Sequence, residues 1–205
     1  MSTTSNEQGR EPVKADGIHA FAQYLYSLAD RQDRGALAAL RRSLQDPVGM
    51  SAAACPYVVP FLPKEPDLYR ERSYFLVAAL FGLAGTHATG VSIGDAFRRI
   101  AADGSSDGKD NPSIRARFVA LLDAHPEDAG DHLRHLASLA RAKEVSLDWE
   151  KLLRDLLGLR HPERRVQRAW AHDFWGRAST PDEPNPGSSS SQIAPNAPMT
   201  SKVNA

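Results

Sequence analysis

The stretch SLDWEKLLRDLLGL, residues 146–159, shows the pattern that decides the fold class. Its large apolar side chains recur at helical spacing, so one face of a helix is apolar and the other is charged. The apolar positions are Trp149, Leu152, Leu153, Leu156 and Leu157. Because such a face must leave water by packing against another element, the stretch predicts an amphipathic helix inside a packed protein.

Residues typical of helix starts occur repeatedly before this stretch. Asp33 is placed to cap a helix that carries leucines at helical spacing, and Ser92 with Asp95 three residues later resembles a capping box. Asn111–Pro112 is typical of another helix start. Further helices are expected near residues 18–29, 68–83 and after Pro126. Apart from a short YVV segment, no part alternates with the period of a strand.

Composition divides the chain into folded and unfolded parts. Residues 1–16 are polar, and residues 178–205 are rich in Ser, Pro and Asn, so both ends are expected to be disordered. The proline-rich residues 46–66 predict a packed loop or short turns. ADGSSDGKDN, residues 102–111, has linker composition. We therefore predict an all-α fold of two small helical bundles in series, residues 17–104 and 112–177, joined by a linker at residues 105–111.

The stretch HPERRVQRAWAHDFWG, residues 161–176, predicts a last helix that begins at Pro162 and is closed by a left-handed Gly176. Its inner side is expected to carry Val166, Ala169, Trp170, Asp173 and Phe174, with Asp173 suited to an internal salt bridge. Its outer side is expected to carry Arg164, Arg165, Arg168, His172 and Trp175. This outer stripe is either an ordinary solvated face or a surface for an anionic partner. Trp175 either covers the end of the bundle or stacks on a base.

Basic residues are abundant, although the formal net charge of the 205 residues is zero. Of the 25 basic residues 19 are arginines, whose planar fork suits phosphate. Residues 151–177 carry seven basic and three acidic side chains. Arg34 and Arg41 share one stripe of the second helix, whereas Arg115 and Arg117 flank an apolar face on opposite sides. These placements make a nucleic-acid surface one of the open alternatives.

Composition also bears on compartment. Cys55 is the single cysteine, so an internal disulfide or a cysteine-based zinc site is excluded. The first sixteen residues lack the apolar core of a secretion signal, and the apolar run at residues 75–83 is too short to span a bilayer. We therefore expect a soluble, cytoplasmic protein without membrane contact.

Enzymatic alternatives rest on few residues. Asp128, His132 and His135 have helical spacings that could gather metal ligands, which would suit a small metal-dependent hydrolase. However, the chain has no HExxH motif. GVSIG, residues 90–94, lacks the preceding strand of a nucleophile elbow, and a helix start explains its serine.

The order of motifs resembles the CasB family, the small subunit of the type I-E CRISPR Cascade surveillance complex. Seven segments carry the resemblance, and they occur in family order across nearly all of residues 17–177. They are DRGALAALRRSL (33–44), PYVVPFLP (56–63), TGVSIGDAF (89–97), SIRARFVALLDA (113–124), DHLRHLASLAR (131–141), VSLDWEKLLRDLL (145–157) and ERRVQRAWAHDFW (163–175).

The resemblance implies a helical, non-catalytic protein without cofactors. It also implies contacts with the Cascade backbone and large subunits, with a second copy of the chain, with the heteroduplex of crRNA and target DNA, and with the displaced non-target single strand. Such a subunit would bind nucleic-acid backbone without reading sequence and would stabilise the R-loop in antiviral defence. The candidate nucleic-acid-binding residues, mapped by motif, are Arg34, Arg41, Arg42, Arg115, Arg117, Arg134, Arg164, Arg165 and Arg168.

Overall fold

The chain is predominantly helical in the residues that the structure, a computed structural model, describes: 15–45, 51–103 and 111–176. The all-α prediction is confirmed, because these ranges contain helices and no strand. The predicted disorder of the termini and the predicted linker fall largely outside these ranges, although the first helix already begins at Ala15. The helices are α1 (Ala15–Asp30), α2 (Arg34–Arg42), α3 (Cys55–Val58), α4 (Leu68–Ala84), α5 (Ile93–Ala102), α6 (Pro112–Asp123), α7 (Ala129–Ala142), α8 (Trp149–Gly158) and α9 (Arg165–Trp175).

The predicted helix starts are confirmed at three positions. Asp33 accepts the backbone N–H of Ala36 at 3.0 Å, and the Asn111 side chain caps α6 ahead of Pro112. Ser92 accepts the N–H of Asp95 at 3.1 Å. The predicted loop at 46–66 contains α3 and a short 3-10 turn (Val59–Phe61) in its described part.

Helix α4 is the centre of the packing, because α2, α7 and α8 all lie against it. Gly82 permits the close approach of α2: a Cβ atom there would lie 2.8 Å from the backbone N of Arg41. Gly94 does the same for α9, since its Cβ would lie 2.2 Å from the carbonyl oxygen of Trp170. Two glycines therefore set the positions of α2 and α9, both of which carry candidate arginines.

The buried apolar side chains form one continuous cluster that extends from Ile18 to Phe174. Helix α5, which precedes the predicted linker, packs against α6 and α9, which follow it. The helices on the two sides of the linker therefore share a core. The division into residues 17–104 and 112–177 stays a prediction.

The last helix differs from its prediction at both ends. It begins at Arg165, because Pro162 lies in a turn closed by a 2.9 Å hydrogen bond from Arg164 N–H to the carbonyl of His161. Arg164 itself has a left-handed φ of 50°. Gly176 is not left-handed; its φ is −61°.

The inner side of α9 also differs in part from its prediction. Trp170 and Phe174 are buried as predicted, but Ala169 is exposed and Gln167 is buried in its place. Burial of Gln167 is possible because its Nε2 donates to the carbonyl of Leu159 at 3.2 Å. A polar side chain satisfied in this way is compatible with a core position, which apolar periodicity cannot reveal.

Candidate nucleic-acid interface

All nine candidate arginines are exposed, but they differ in their partners. Within the described ranges, two have a carboxylate within 4 Å, namely Arg164 and Arg165. The other seven have no acidic partner there. An unpaired, solvated guanidinium is available to an external phosphate without first breaking an ion pair. The seven are Arg34, Arg41, Arg42, Arg115, Arg117, Arg134 and Arg168.

Arg134 brings α7 next to the end of α2. Its Nη2 donates a 2.5 Å hydrogen bond to the carbonyl oxygen of Leu44, in the 3-10 turn (Ser43–Gln45) that directly follows α2. Arg41 and Arg42 occupy the last turn of α2. Three arginines from two distant motifs therefore lie in neighbouring elements.

Arg117 lies beside α7 on the side opposite to Arg134. It borders a small cavity of about 20 Å³ together with His132 and His135 of α7 and Phe97 of α5. This arrangement argues against the metal-hydrolase alternative, because a guanidinium beside the two histidines would repel a metal cation. In the part of the chain that the structure describes, no three His, Cys, Asp or Glu side chains are grouped as metal ligands, so the predicted trio of Asp128, His132 and His135 does not assemble.

Arg164 and Arg165 do not extend a free cationic stripe, contrary to the prediction. Arg164 precedes α9, where its guanidinium donates to the carbonyl of Leu122 and lies 3.8 Å from a carboxylate oxygen of Asp123. Arg165 is paired with Glu163 at 2.7 Å. The physical reason is the turn at residues 161–164, which moves Arg164 off the helix and toward the end of α6.

Arg168 remains as the unpaired cation of α9, and Trp175 lies seven residues later on the same stripe. The indole of Trp175 packs against Phe118 of α6 with ring centroids 5.4 Å apart. Because Arg115 is one turn from Phe118, α6 and α9 each present an unpaired arginine near this aromatic contact.

A half-buried carboxylate, Asp155, links α8 to α9. The indole Nε1 of Trp170 donates to Asp155 Oδ2 at 2.7 Å, and Lys151 Nζ lies 3.4 Å from the same oxygen. Burial raises the pKa of Asp155, while Trp170 and Lys151 oppose that shift. The predicted internal salt bridge of Asp173 is absent from the described ion pairs; Asp173 instead contributes to the raised pKa of Asp155.

A groove of about 600 Å³, which the sequence did not predict, lies between the starts of α4 and α7 and the end of α8. Four carboxylates line it beside Arg72, Arg134 and Arg160, so its charge is mixed, and Arg134 lies where the groove meets the end of α2. Arg160 has local partners, since it lies 3.9 Å over the ring of Tyr69 and pairs with Glu127 at 2.6 Å. No short sequence pattern indicates this groove, because α4, α7, α8 and the 3-10 turn after α2 all contribute to it.

No described helix has the length and apolar content that a bilayer crossing requires.

Comparison with known proteins agrees with the motif order. The family described as CRISPR-associated protein Cse2 matches residues 36–175, which include every candidate arginine except Arg34. A curated CRISPR-associated protein Cse2 from Thermus thermophilus is 39% identical over 150 residues, which are 72% of this chain and 83% of that protein.

Solved structures share the fold. The crystal structure of CasB from Thermus thermophilus has a TM-score of 0.66 at 34% identity and covers 78% of this chain and 97% of its own. A chain from a structure described as a CRISPR RNA-guided surveillance complex has a TM-score of 0.60 at 24% identity. The match covers 78% of this chain and 91% of that one. The chain thus belongs to the CRISPR-associated Cse2 family, the CasB family that its motifs resemble.

Proposed function

We propose that this protein is a non-catalytic, cytoplasmic subunit of a crRNA-guided Cascade complex. In that complex it binds nucleic-acid backbone without sequence preference and holds the displaced non-target strand of the R-loop. One structural observation carries the proposal. Unpaired arginines lie on four neighbouring elements, and we call this set the cationic band: Arg41 and Arg42 on α2, Arg134 on α7, Arg115 and Arg117 on α6, and Arg168 on α9.

Contacts between the helices support the continuity of the cationic band. The Arg134–Leu44 hydrogen bond connects α7 to the end of α2. The cavity with Arg117 and His135 connects the other side of α7 to α6, so a strand that follows the band passes around α7. The packing of Trp175 on Phe118 connects α6 to α9. A strand that crosses these elements in order would meet guanidinium groups on rigid helices.

The chemistry of the cationic band favours backbone over bases. Guanidinium groups neutralise phosphates and release counterions, which gives affinity that falls with salt and does not depend on sequence. R-loop formation exchanges one duplex for another of similar stability, so modest backbone contacts can shift the balance. A subunit with this surface needs no catalytic group to stabilise an open R-loop.

The remaining candidates have different parts in the proposal. Arg34 has no acidic partner in the described ranges and lies seven residues before Arg41 on the same stripe of α2. It therefore extends the cationic band along α2. Arg164 and Arg165 already have partners within the chain. They therefore contribute positive potential near α9 but position the helix start more than they bind phosphate.

Protein contacts are also part of the proposal. We assign to the subunit contacts with the Cascade backbone and large subunits, with a second copy of itself, and with the heteroduplex of crRNA and target DNA. The shared fold with a chain of a CRISPR RNA-guided surveillance complex supports assembly of this kind. The family membership supports it independently, because that match covers residues 36–175.

The test uses the assembled complex with a target duplex. Permanganate reactivity of unpaired thymines reports on the displaced strand, and strand-exchange kinetics report the lifetime of the R-loop. We expect Arg41→Gln with Arg42→Gln to raise the reactivity and shorten the lifetime. The charge control, Arg72→Gln with Arg154→Gln, removes two exposed arginines outside the cationic band, of which Arg154 on α8 pairs with Glu150, and should leave both unchanged. Equal reactivity and lifetime in the wild type and the α2 variant would contradict the proposal.

A further inference from the structure

The three tryptophans of the chain differ sharply in exposure. Trp149 and Trp170 are buried, at 1% and 0% exposure, whereas Trp175 is 44% exposed. The buried pair satisfies its indole N–H groups internally: Trp149 donates to the carbonyl of Thr86 and Trp170 to Asp155. Trp175 has no such role in the described hydrogen bonds.

Two buried rings hold the exposed indole of Trp175. Phe118 lies 5.4 Å from it at an interplanar angle of 58°, and Phe174 lies 4.9 Å away at 77°. Phe118 and Phe174 also stack on each other with centroids 4.4 Å apart. This packing already restricts the indole. A ligand that stacks on it therefore costs little side-chain conformational entropy.

The charges near Trp175 indicate the kind of ligand. Arg168 lies seven residues before Trp175 on the same stripe of α9, and Arg115 lies one turn before Phe118, the α6 ring that the indole contacts. Neither has an acidic partner within the described ranges. An apolar protein segment on the indole would desolvate these guanidinium groups, whereas a nucleotide supplies a phosphate for a cation and a flat base for the ring.

We propose that Trp175 is a stacking platform for an unpaired nucleobase of the displaced strand, with Arg115 and Arg168 binding the flanking phosphates. This inference rests on the proposed function, because the cationic band must bring the strand to α9. It adds a contact with the base, which phosphate binding alone does not need. Every base has a π face, so the platform does not require a particular sequence.

The test compares two single strands of equal length, one normal and one fully abasic, with the full-length protein at low salt. Both strands carry the same phosphates, but only the normal strand can stack. We expect the normal strand to quench the tryptophan emission and to bind about fivefold or more tightly than the abasic strand. Trp175→Leu should abolish the preference for the normal strand, measured by anisotropy of labelled DNA. Trp175→Phe should retain part of it.

The controls separate this inference from the proposed function. Val59→Ala alters another exposed apolar residue, on the 3-10 turn beside α1, and should leave the preference intact. Thermal unfolding of both Trp175 variants checks that the fold is retained, and Trp175→Phe keeps an aromatic packed on Phe118. Equal affinity for normal and abasic strands would contradict the stacking role of Trp175 but not phosphate binding by the cationic band. Failure of both strands to bind would overturn the proposed function and the stacking role together.

Discussion

Arg134 Nη2 donates a 2.5 Å hydrogen bond to the carbonyl oxygen of Leu44, which lies 90 residues earlier in the chain. This contact joins the end of α2 to α7, two elements whose arginines are far apart in sequence. It gives Arg134 two roles, because the same exposed guanidinium tethers two elements and contributes charge to the cationic band.

The two roles of Arg134 can be separated by charge. We expect Arg134→Lys to keep the salt dependence of DNA binding, because the positive charge remains. Arg134→Gln should reduce the slope of log affinity against log salt concentration by about 0.7, the value for one phosphate contact on a single strand. Titrations of the full-length protein with single-stranded DNA at several salt concentrations measure both slopes. A lysine variant with the same reduced slope as the glutamine variant would show that charge is not the contribution of Arg134.

Arg164 and Arg168 are expected to respond differently to truncation. Arg168→Ala should flatten the salt slope and change the free energy of unfolding by less than about 0.5 kcal/mol, as is usual for an exposed side chain without partners. Arg164→Ala should lower the free energy of unfolding by about 1 kcal/mol, because its hydrogen bond to the Leu122 carbonyl is lost. Its effect on the slope should be the smaller of the two. Urea unfolding and salt titrations of the same samples measure both quantities, and the reverse order of effects would refute the assignment.

The Asp155 carboxyl is expected to make the stability of the α8–α9 packing depend on pH. Burial raises its pKa above the ordinary value of 3.8, so the folded state binds this proton more strongly than the unfolded state. Its favourable contribution is therefore complete below pH 3.8 and is lost as the pH rises through the folded-state pKa. Asp155→Asn keeps an acceptor for Trp170 without the titration. The free energy of unfolding of this variant, relative to the wild type, should thus increase from about pH 4 toward pH 7. A difference that is constant over this range would contradict the prediction.

The close contact of α5 with α9 predicts a large effect of one methyl group. Gly94→Ala would place its Cβ 2.2 Å from the Trp170 carbonyl oxygen, so the two helices must separate. We expect the free energy of unfolding to fall by about 1–3 kcal/mol, as for overpacked cores. Gly17→Ala, which meets nothing within 4 Å on α1, is the matched control and should be neutral or slightly stabilising. Similar unfolding midpoints for the two variants would contradict the described packing of α9.

The helical class was predictable because its signals are local. The capping by Asp33, the Ser92 hydroxyl and Asn111 depends on residues two or three positions away, and the structure confirms all three. The start of α9 depends instead on a turn and on the end of α6, so the position of Pro162 was a misleading guide. Local periodicity also cannot tell which acid binds a partner on another helix: it suggested Asp173, whereas the structure gives that contact to Asp155.

The candidate site was predictable only as a list of residue types on outer helix faces. Periodicity places Arg164, Arg165 and Arg168 on an outer face, the family resemblance adds the other six candidates, and the structure shows all nine exposed. Their partners do not follow from it, because the Arg164 contact with Leu122 crosses 42 residues and the Arg134 contact crosses 90. The family resemblance supplied the functional interpretation, which no spacing in the chain provides by itself.

Photocrosslinking from the displaced strand tests the central claim most directly. The assembled complex is bound to a target duplex whose non-target strand carries photoreactive nucleotides, and the crosslinked peptides of this subunit are identified by mass spectrometry. We predict crosslinks to the peptides that carry Arg41 and Arg42, Arg115 and Arg117, Arg134, and Arg168. Crosslinks confined to other surfaces of the subunit, or none to the subunit in a complex with an open R-loop, would contradict the account.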